Sequence, residues 1–76
     1  MDELRELLNK VRLNKGLELL SEIRPEMRLR EDLGFDSLDL AELTARIDHR
    51  FHVDVFAGGI VTQVGELQRL IDRGHG

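Results

Sequence analysis

The chain of 76 residues contains no cysteine, no tryptophan, no tyrosine and a single proline. Without cysteine it forms no disulfide and offers no thiolate ligand to a metal, which argues against a small secreted scaffold held by cross-links. Three phenylalanines are its only aromatic side chains, so the hydrophobic core must be mainly aliphatic. Any thiol chemistry would need a thiol that the chain itself does not supply.

Basic residues are in the minority, since 11 lysines and arginines stand against 15 acids and give a formal net charge of -4. Nucleic-acid-binding proteins present a basic surface, so this balance argues against a nucleic-acid partner. No apolar run approaches the length that spans a membrane, and the charged start MDELRELL is unlike a secretory signal peptide. We therefore expect a soluble, cytoplasmic and monomeric protein.

The length of the chain predicts one domain that covers residues 1–76. A chain of this size buries only about 60% of the surface that its unfolded form exposes. Little volume is then left for a deep active-site pocket, which weakens any enzyme hypothesis.

Apolar residues at helical spacing predict a first helix that begins near Asp2. The segment Asn14-Lys15-Gly16 is one end for it, because glycine commonly stops helices. The leucines that follow keep the same spacing, so a continuation to about Glu22 stays open. The apolar positions concerned are Leu4, Leu7, Leu8, Val11, Leu13, Leu17 and Leu20.

Arg24-Pro25 interrupts the helical pattern, because a residue before proline is steered away from helical angles. Residues 24–35 are therefore interpreted as a connection. A second helix is predicted from Asp36 or Ser37 to about Phe51, with Asp36 as its N-cap. Phe35 and Leu40 have the spacing of a hydrophobic staple around that cap.

Residues 52–61 are irregular, and Gly58-Gly59 argues against a long helix there, although a short helical turn is compatible with the sequence. Thr62 is predicted to cap a last helix, and Gly74 is predicted to end it. The sum is an all-α fold, a small antiparallel bundle of three main helices plus a short one.

Ser37 admits two interpretations at the start of the second helix. Serine is common at helix starts, so an ordinary capping role is the simpler one. A hydroxyl in the first turn also lies at the positive end of the helix, where a phosphate ester is electrostatically favoured. Spacing alone favours the capping role.

The segment LREDLGFDSLDLAEL, residues 29–43, resembles the signature of acyl carrier proteins. In that family an Asp-Ser-Leu motif opens the second helix of a four-helix bundle. The resemblance covers nearly the whole chain and is weakest over residues 12–28. The matching positions are Asp32-Leu33-Gly34, Asp36-Ser37-Leu38-Asp39, Glu42, Phe51, Val53-Asp54-Val55 and Thr62-Gln63-Val64.

The resemblance implies that Ser37 carries 4′-phosphopantetheine, which a phosphopantetheinyl transferase would move there from coenzyme A. The thiol of that group would hold an acyl or aminoacyl chain as a thioester, so the chain needs no cysteine. The implied protein is a carrier without catalytic residues, and its partners are an acyl-loading ligase or transferase and downstream synthase enzymes. The implied partner-binding residues are Asp36, Leu38, Asp39, Glu42, Ala45, Arg46 and His49.

The predicted second helix is less acidic than is typical of fatty-acid carriers, because Arg46, His49 and Arg50 interrupt its acidic row. We therefore expect a specialised carrier in lipid, polyketide or peptide biosynthesis, with a D-alanyl or peptidyl carrier as an alternative. The rival from another class is an unmodified helical protein-interaction module in which Ser37 is only a cap. A metal site at His49 and His52 is disfavoured, because no third ligand has a clear spacing.

Overall fold

A computed structural model describes residues 2–75 and contains three helices within that range. They are α1 (Asp2–Asn14), α2 (Ser37–Phe51) and α3 (Val64–His75). The all-α prediction and its three main helices are therefore confirmed. The continuation of the first helix to Glu22 is wrong, because α1 ends at Asn14.

The end of α1 is set by a glycine turn. Gly16 has a φ of 78°, in the left-handed region that glycine adopts without steric cost. The Arg12 carbonyl accepts hydrogen bonds from the backbone N–H groups of Lys15 and Leu17, each at 3.0 Å. Leu13 is 62% exposed, so the apolar spacing that suggested a longer helix did not mark a buried face.

The hydrophobic core lies between the three helices and is completed by side chains from both connections. It is mainly aliphatic, as the composition predicts, with Phe35 and Phe51 as its buried aromatic members. Leu40 packs against it as a partly buried residue, and Phe35 is 3% exposed, in agreement with their staple positions around the cap. The buried aliphatic residues are Leu4, Leu7, Leu8, Val11, Leu29, Leu33, Leu43, Ile47, Val55, Val61, Val64, Leu67 and Ile71.

The first connection is held against the start of α3 by backbone hydrogen bonds. The Leu29 N–H donates to the Thr62 carbonyl, and the Val64 N–H donates to the Met27 carbonyl, both at 2.9 Å. The Gly65 N–H donates to the Pro25 carbonyl at 2.9 Å. A Cβ atom on residue 65 would lie only 3.0 Å from the Pro25 side chain, so glycine permits this close approach. Residues 28–31 of this connection line one groove together with the start of α2.

The second connection, residues 52–63, forms turns, so the predicted short helix and the four-helix arrangement are not confirmed. His52 leaves α2 with a φ of 58° and donates its N–H to the Asp48 carbonyl at 2.8 Å. The Gly59 N–H then donates to the Phe56 carbonyl at 3.2 Å. Gly59 itself has a φ of 128°, which interrupts any continuing helix.

The first N–H groups of α3 are satisfied by backbone carbonyls, since Val64 and Gly65 donate to Met27 and Pro25, each at 2.9 Å. The prediction that Thr62 caps α3 is wrong, because its hydroxyl donates to Glu66 and accepts from no N–H group among residues 2–75. The Glu66 carboxylate accepts from the backbone N–H groups of Thr62 and Gln63 and from the Thr62 hydroxyl, each at 3.1 Å. These hydrogen bonds hold the pKa of Glu66 below its ordinary value, and the one from the Thr62 N–H has the largest effect.

Gly74 lies within α3, which reaches His75, so the prediction that Gly74 ends the helix is wrong. A side chain on Gly74 would collide with that of Val53, so glycine permits a close approach there. None of the helices in residues 2–75 is long and apolar enough to cross a bilayer.

Candidate functional site

The start of α2 is closed by a capping box that uses Asp36 and Asp39. Asp36 has extended backbone angles (φ -104°, ψ -172°) and is the N-cap. Its Oδ1 accepts from the Asp39 N–H at 3.0 Å, and Asp39 Oδ2 accepts from the Asp36 N–H at 2.8 Å. The prediction that Asp36 is the cap is confirmed. Ser37 is therefore the first residue of the helix and leaves the capping to its neighbour.

Lys15 fastens the end of α1 to this helix start. Its Nζ lies 2.6 Å from Asp39 Oδ2 and 3.7 Å from Asp36 Oδ2. It also donates to the Gly34 carbonyl at 2.9 Å. The hydrogen bond to Asp39 is the largest effect on Lys15 and raises its pKa. Sequence reasoning missed this role, because nothing in the local pattern links Lys15 to residues in the next helix.

Asp39 is more enclosed than the sequence pattern suggested, since only 12% of its side chain is exposed. Burial raises the pKa of this carboxyl, but the hydrogen bonds from the Asp36 N–H and from Lys15 outweigh burial. The pKa of Asp39 therefore lies below its ordinary value of 3.8. Asp39 is one of the implied partner-binding residues, and the structure places its carboxylate against Lys15 and the Asp36 N–H.

The Ser37 hydroxyl is exposed and accepts one hydrogen bond, from Arg30 Nη2 at 3.2 Å. In the described part of the chain, no carboxylate or imidazole hydrogen-bonds to it. The serine of a hydrolase is activated by such a base. Ser37 therefore presents an exposed hydroxyl beside a guanidinium. Another enzyme can reach this hydroxyl.

A groove of about 800 Å³ lies beside Ser37. One wall is α2, and the other walls come from residues 28–31 and 56–62. Much of its surface is apolar, with two arginines at residues 28 and 30. The lining residues are Arg28, Leu29, Arg30, Glu31, Ser37, Leu40, Ala41, Thr44, Phe56, Gly59, Ile60, Val61 and Thr62.

The remaining predicted partner-binding residues lie along α2. Most of them form an ion pair or line a second groove. Leu38 is 81% exposed. Glu42 pairs with Arg46 at 2.8 Å and accepts from Asn14 Nδ2 at 3.0 Å. Ala45, Arg46 and His49 line a second groove of about 360 Å³, together with Leu7, Lys10, Glu42 and Arg50. The structure thus brings Ala45, Arg46 and His49 together at the second groove. Ser37 is not among them, because it lines the groove of about 800 Å³.

No metal-binding cluster is formed within residues 2–75, where no three His, Asp or Glu side chains are placed to hold an ion. His49 is exposed on α2, and His52 follows the helix as its C-cap.

A family model described as a phosphopantetheine attachment site matches residues 3–72. The chain belongs to this family. It is an acyl-carrier-type protein, and its prosthetic group is 4′-phosphopantetheine, bound covalently. Carrier proteins of this family work with phosphopantetheinyl transferases and with synthase enzymes. The match takes in α2 and most of α1 and α3, so it agrees with the resemblance found along the sequence.

The start of α2 fits the phosphodiester end of this group. It offers an exposed hydroxyl at Ser37, a cationic neighbour at Arg30 and the positive end of a 15-residue helix. The adjoining groove has apolar walls that suit an uncharged arm or acyl chain. When attached, phosphopantetheine supplies a terminal thiol that binds acyl groups as thioesters.

Proposed function

We propose that Ser37 carries the 4′-phosphopantetheine of this carrier and that the chain presents an acyl or aminoacyl group to partner enzymes. One observation carries the assignment to Ser37. The capping of α2 is done by Asp36 and Asp39, so the exposed Ser37 hydroxyl is not needed to start the helix. Its place in the motif Asp36-Ser37-Leu38 agrees with the family match.

Attachment at Ser37 is a transfer between two oxygens at phosphorus. The Ser37 Oγ attacks the phosphorus that bears the pantetheine in coenzyme A, and a base of the transferase takes the hydroxyl proton. The phosphoanhydride bond breaks, and adenosine 3′,5′-bisphosphate leaves. Ser37 contributes only the nucleophilic oxygen, and the transferase with its Mg²⁺ supplies the catalysis.

We further propose that the partner surface combines Asp36 and Leu38 near the arm with the charged second half of α2. Leu38 is 81% exposed and offers an apolar contact. Arg46 and Arg50 pair with Glu42 and Glu3, at 2.8 and 3.3 Å. This face therefore mixes both signs of charge, and it disfavours partners built for a uniformly acidic helix. Asp39 is left out of this surface, because its carboxylate is enclosed.

The mixed charge of α2 supports a specialised carrier over a general fatty-acid carrier. Lipid, polyketide and peptide biosynthesis all use such carriers, and a D-alanyl or peptidyl carrier is the alternative within the same function. The chain is proposed to have no catalytic activity of its own, since Ser37 lacks a paired base among the described residues.

The carrier function is tested by loading the protein and asking how the acyl group is held. The protein is incubated with a broad-specificity phosphopantetheinyl transferase, Mg²⁺ and a radiolabelled acyl-coenzyme A. The chain has two serines, so Ser21→Ala is a matched control for Ser37→Ala. We expect the label on the parent and on Ser21→Ala and none on Ser37→Ala. Neutral hydroxylamine, which cleaves thioesters, should release the labelled acyl group from both labelled proteins. Label on Ser37→Ala, or a parent that an active transferase leaves unlabelled, would contradict the proposal.

A further inference from the structure

Arg30 is the residue whose side chain contacts the Ser37 hydroxyl. Its Nη2 donates to Ser37 Oγ at 3.2 Å across a sequence separation of seven residues. Both residues line the 800 Å³ groove. The contact between Arg30 and Ser37 is therefore made by two residues that border the groove.

The charge of Arg30 is not neutralised by any acid in residues 2–75, because no carboxylate there lies within ion-pair distance of it. Its neighbour Arg28 differs, since the Arg28 Nε lies 3.8 Å from both Glu31 and Asp32. The ammonium of Lys15 is likewise held by Asp39. Arg30 is thus an uncommitted cation at the oxygen where the phosphate is to be added.

The backbone of Arg30 is anchored although its side chain is exposed. Its carbonyl accepts from the Gly34 N–H at 3.1 Å. The preceding residue, Leu29, is fully buried and donates its N–H to the Thr62 carbonyl at 2.9 Å. The guanidinium therefore extends from an ordered loop, which limits the entropy lost when it binds a ligand.

We propose that Arg30 is a positioning residue for the prosthetic arm: its guanidinium pairs with the phosphodiester on Ser37 and directs the arm along the groove. This inference rests on the proposed function, in which Ser37 is the attachment residue. A phosphodiester carries one negative charge, and the planar fork of arginine matches two phosphate oxygens. Because Arg30 already hydrogen-bonds to the oxygen that becomes the ester, a phosphate on that oxygen comes within its reach.

The ion pairs near Ser37 leave Arg30 as the favoured partner for the phosphodiester. Asp36 precedes Ser37 and lies 3.7 Å from Lys15, and Glu31 lines the same groove and lies 3.8 Å from Arg28, so these two cations are already paired. Arg30 is the cation in direct contact with Ser37. Without it, the arm loses its attachment to the groove side and samples solvent more freely.

The test compares the phosphopantetheine-bearing forms of the parent, Arg30→Gln, Arg30→Lys and Arg24→Gln. Arg24 is the matched control, because it is exposed in the same connection and, among residues 2–75, pairs only with Glu26, at 3.9 Å. The readouts are the ³¹P resonance of the phosphodiester and the Nε–H signal of Arg30. Folding of each variant is checked by circular dichroism, and modification is checked by intact mass.

We expect the Arg30 Nε–H signal of the parent to shift on modification and its order parameter to rise from the mobile range, below about 0.6. Arg30→Gln should shift the ³¹P resonance, Arg24→Gln should leave it in place, and Arg30→Lys should give an intermediate value because it keeps the charge without the fork. High salt should reduce the difference between the parent and Arg30→Gln, since an exposed ion pair is screened.

An unchanged Arg30 Nε–H signal in the modified parent would overturn the inference, even if a variant failed to fold. An identical ³¹P resonance in Arg30→Gln and Arg24→Gln would overturn it as well. Both results leave the carrier function intact, because the arm is present in each sample. A parent that gains no mass would instead contradict the proposed function.

Discussion

Asp36 and Ser37 are adjacent in the chain but have different tasks at the start of α2. The Asp36 carboxylate accepts a hydrogen bond from the Asp39 N–H, and the Asp36 backbone has the extended angles of an N-cap. Ser37 makes one exposed side-chain hydrogen bond, to Arg30. The helix start therefore does not depend on the Ser37 hydroxyl.

Asp36→Ala should destabilise the fold by about 1 kcal/mol, because it removes the cap. That loss corresponds to a fall in the melting temperature of roughly 4–8 °C for a domain of this size. Ser37→Ala should change the melting temperature much less, since the hydroxyl lies outside the capping box. Thermal unfolding followed by circular dichroism checks both variants, and equal losses would contradict the assignment of the cap.

Asp39 makes the stability of the fold depend on pH in the acid range. Because the folded state holds its pKa below the ordinary value of 3.8, its contribution is complete well above 3.8. That contribution is lost as the pH falls through the lower, folded-state pKa. Asp39→Asn should therefore be less stable than the parent at neutral pH, and the gap should close in strong acid. Urea unfolding over this range measures the gap, and a gap that stays constant would contradict the account.

At the scale of elements, α2 was predictable because its signals are local. The cap and the staple residues lie within residues 35–40, and the observed bounds of α2 agree with the predicted ones. The enclosure of Asp39 could not be read from that segment, because it depends on Lys15, 24 residues earlier in the chain. Arg30 was missed for the same reason, since its contact with Ser37 follows from the path of the connection.

The connections were harder to predict than the helices. Leucines after Gly16 kept a helical spacing that the glycine turn overrode. Turns replaced the predicted short helix in residues 52–63, where Gly59 takes a positive φ. The hydrogen bonds between residues 25–29 and 62–65 are non-local, so no window of the sequence contains both partners.

Replacing both Arg46 and Arg50 by Glu should increase acceptance of the carrier by enzymes that serve general fatty-acid carriers. Within the described part of the chain each arginine makes one ion pair on the surface, and such pairs contribute about 0–1 kcal/mol, so the variant should remain folded. The measurement is kcat/KM of such an enzyme with each carrier.

The double variant Arg24→Glu and Arg69→Glu is the matched control, because it makes the same change in net charge outside α2. Acceptance that is unchanged or poorer in the α2 variant, or equally raised in the control, would refute a selectivity role for Arg46 and Arg50.

At the scale of the whole molecule, the two connections and α2 together form the groove beside Ser37. Its walls come from segments far apart in sequence, so the groove exists only in the folded chain. We propose that this groove, of about 800 Å³, takes up a short acyl chain on the arm.

Loading a short acyl chain should shift the amide signals of groove residues such as Leu40, Ala41 and Val61, relative to the protein with the unloaded arm. Ala41→Leu should reduce these shifts, because the larger side chain occupies part of the groove. Two-dimensional ¹H–¹⁵N spectra make the comparison, with Leu8 of the core as an internal reference. Shifts confined to the immediate neighbours of Ser37 would mean that the chain stays in solvent.

The attachment of phosphopantetheine to Ser37 is tested most directly by intact mass. The purified parent, Ser37→Ala and Ser21→Ala are each incubated with coenzyme A, Mg²⁺ and a broad-specificity phosphopantetheinyl transferase. We expect a gain of one phosphopantetheine on the parent and on Ser21→Ala, and none on Ser37→Ala. A folded parent that gains no mass from an active transferase would contradict the proposed attachment and make an unmodified interaction module the better description of this chain.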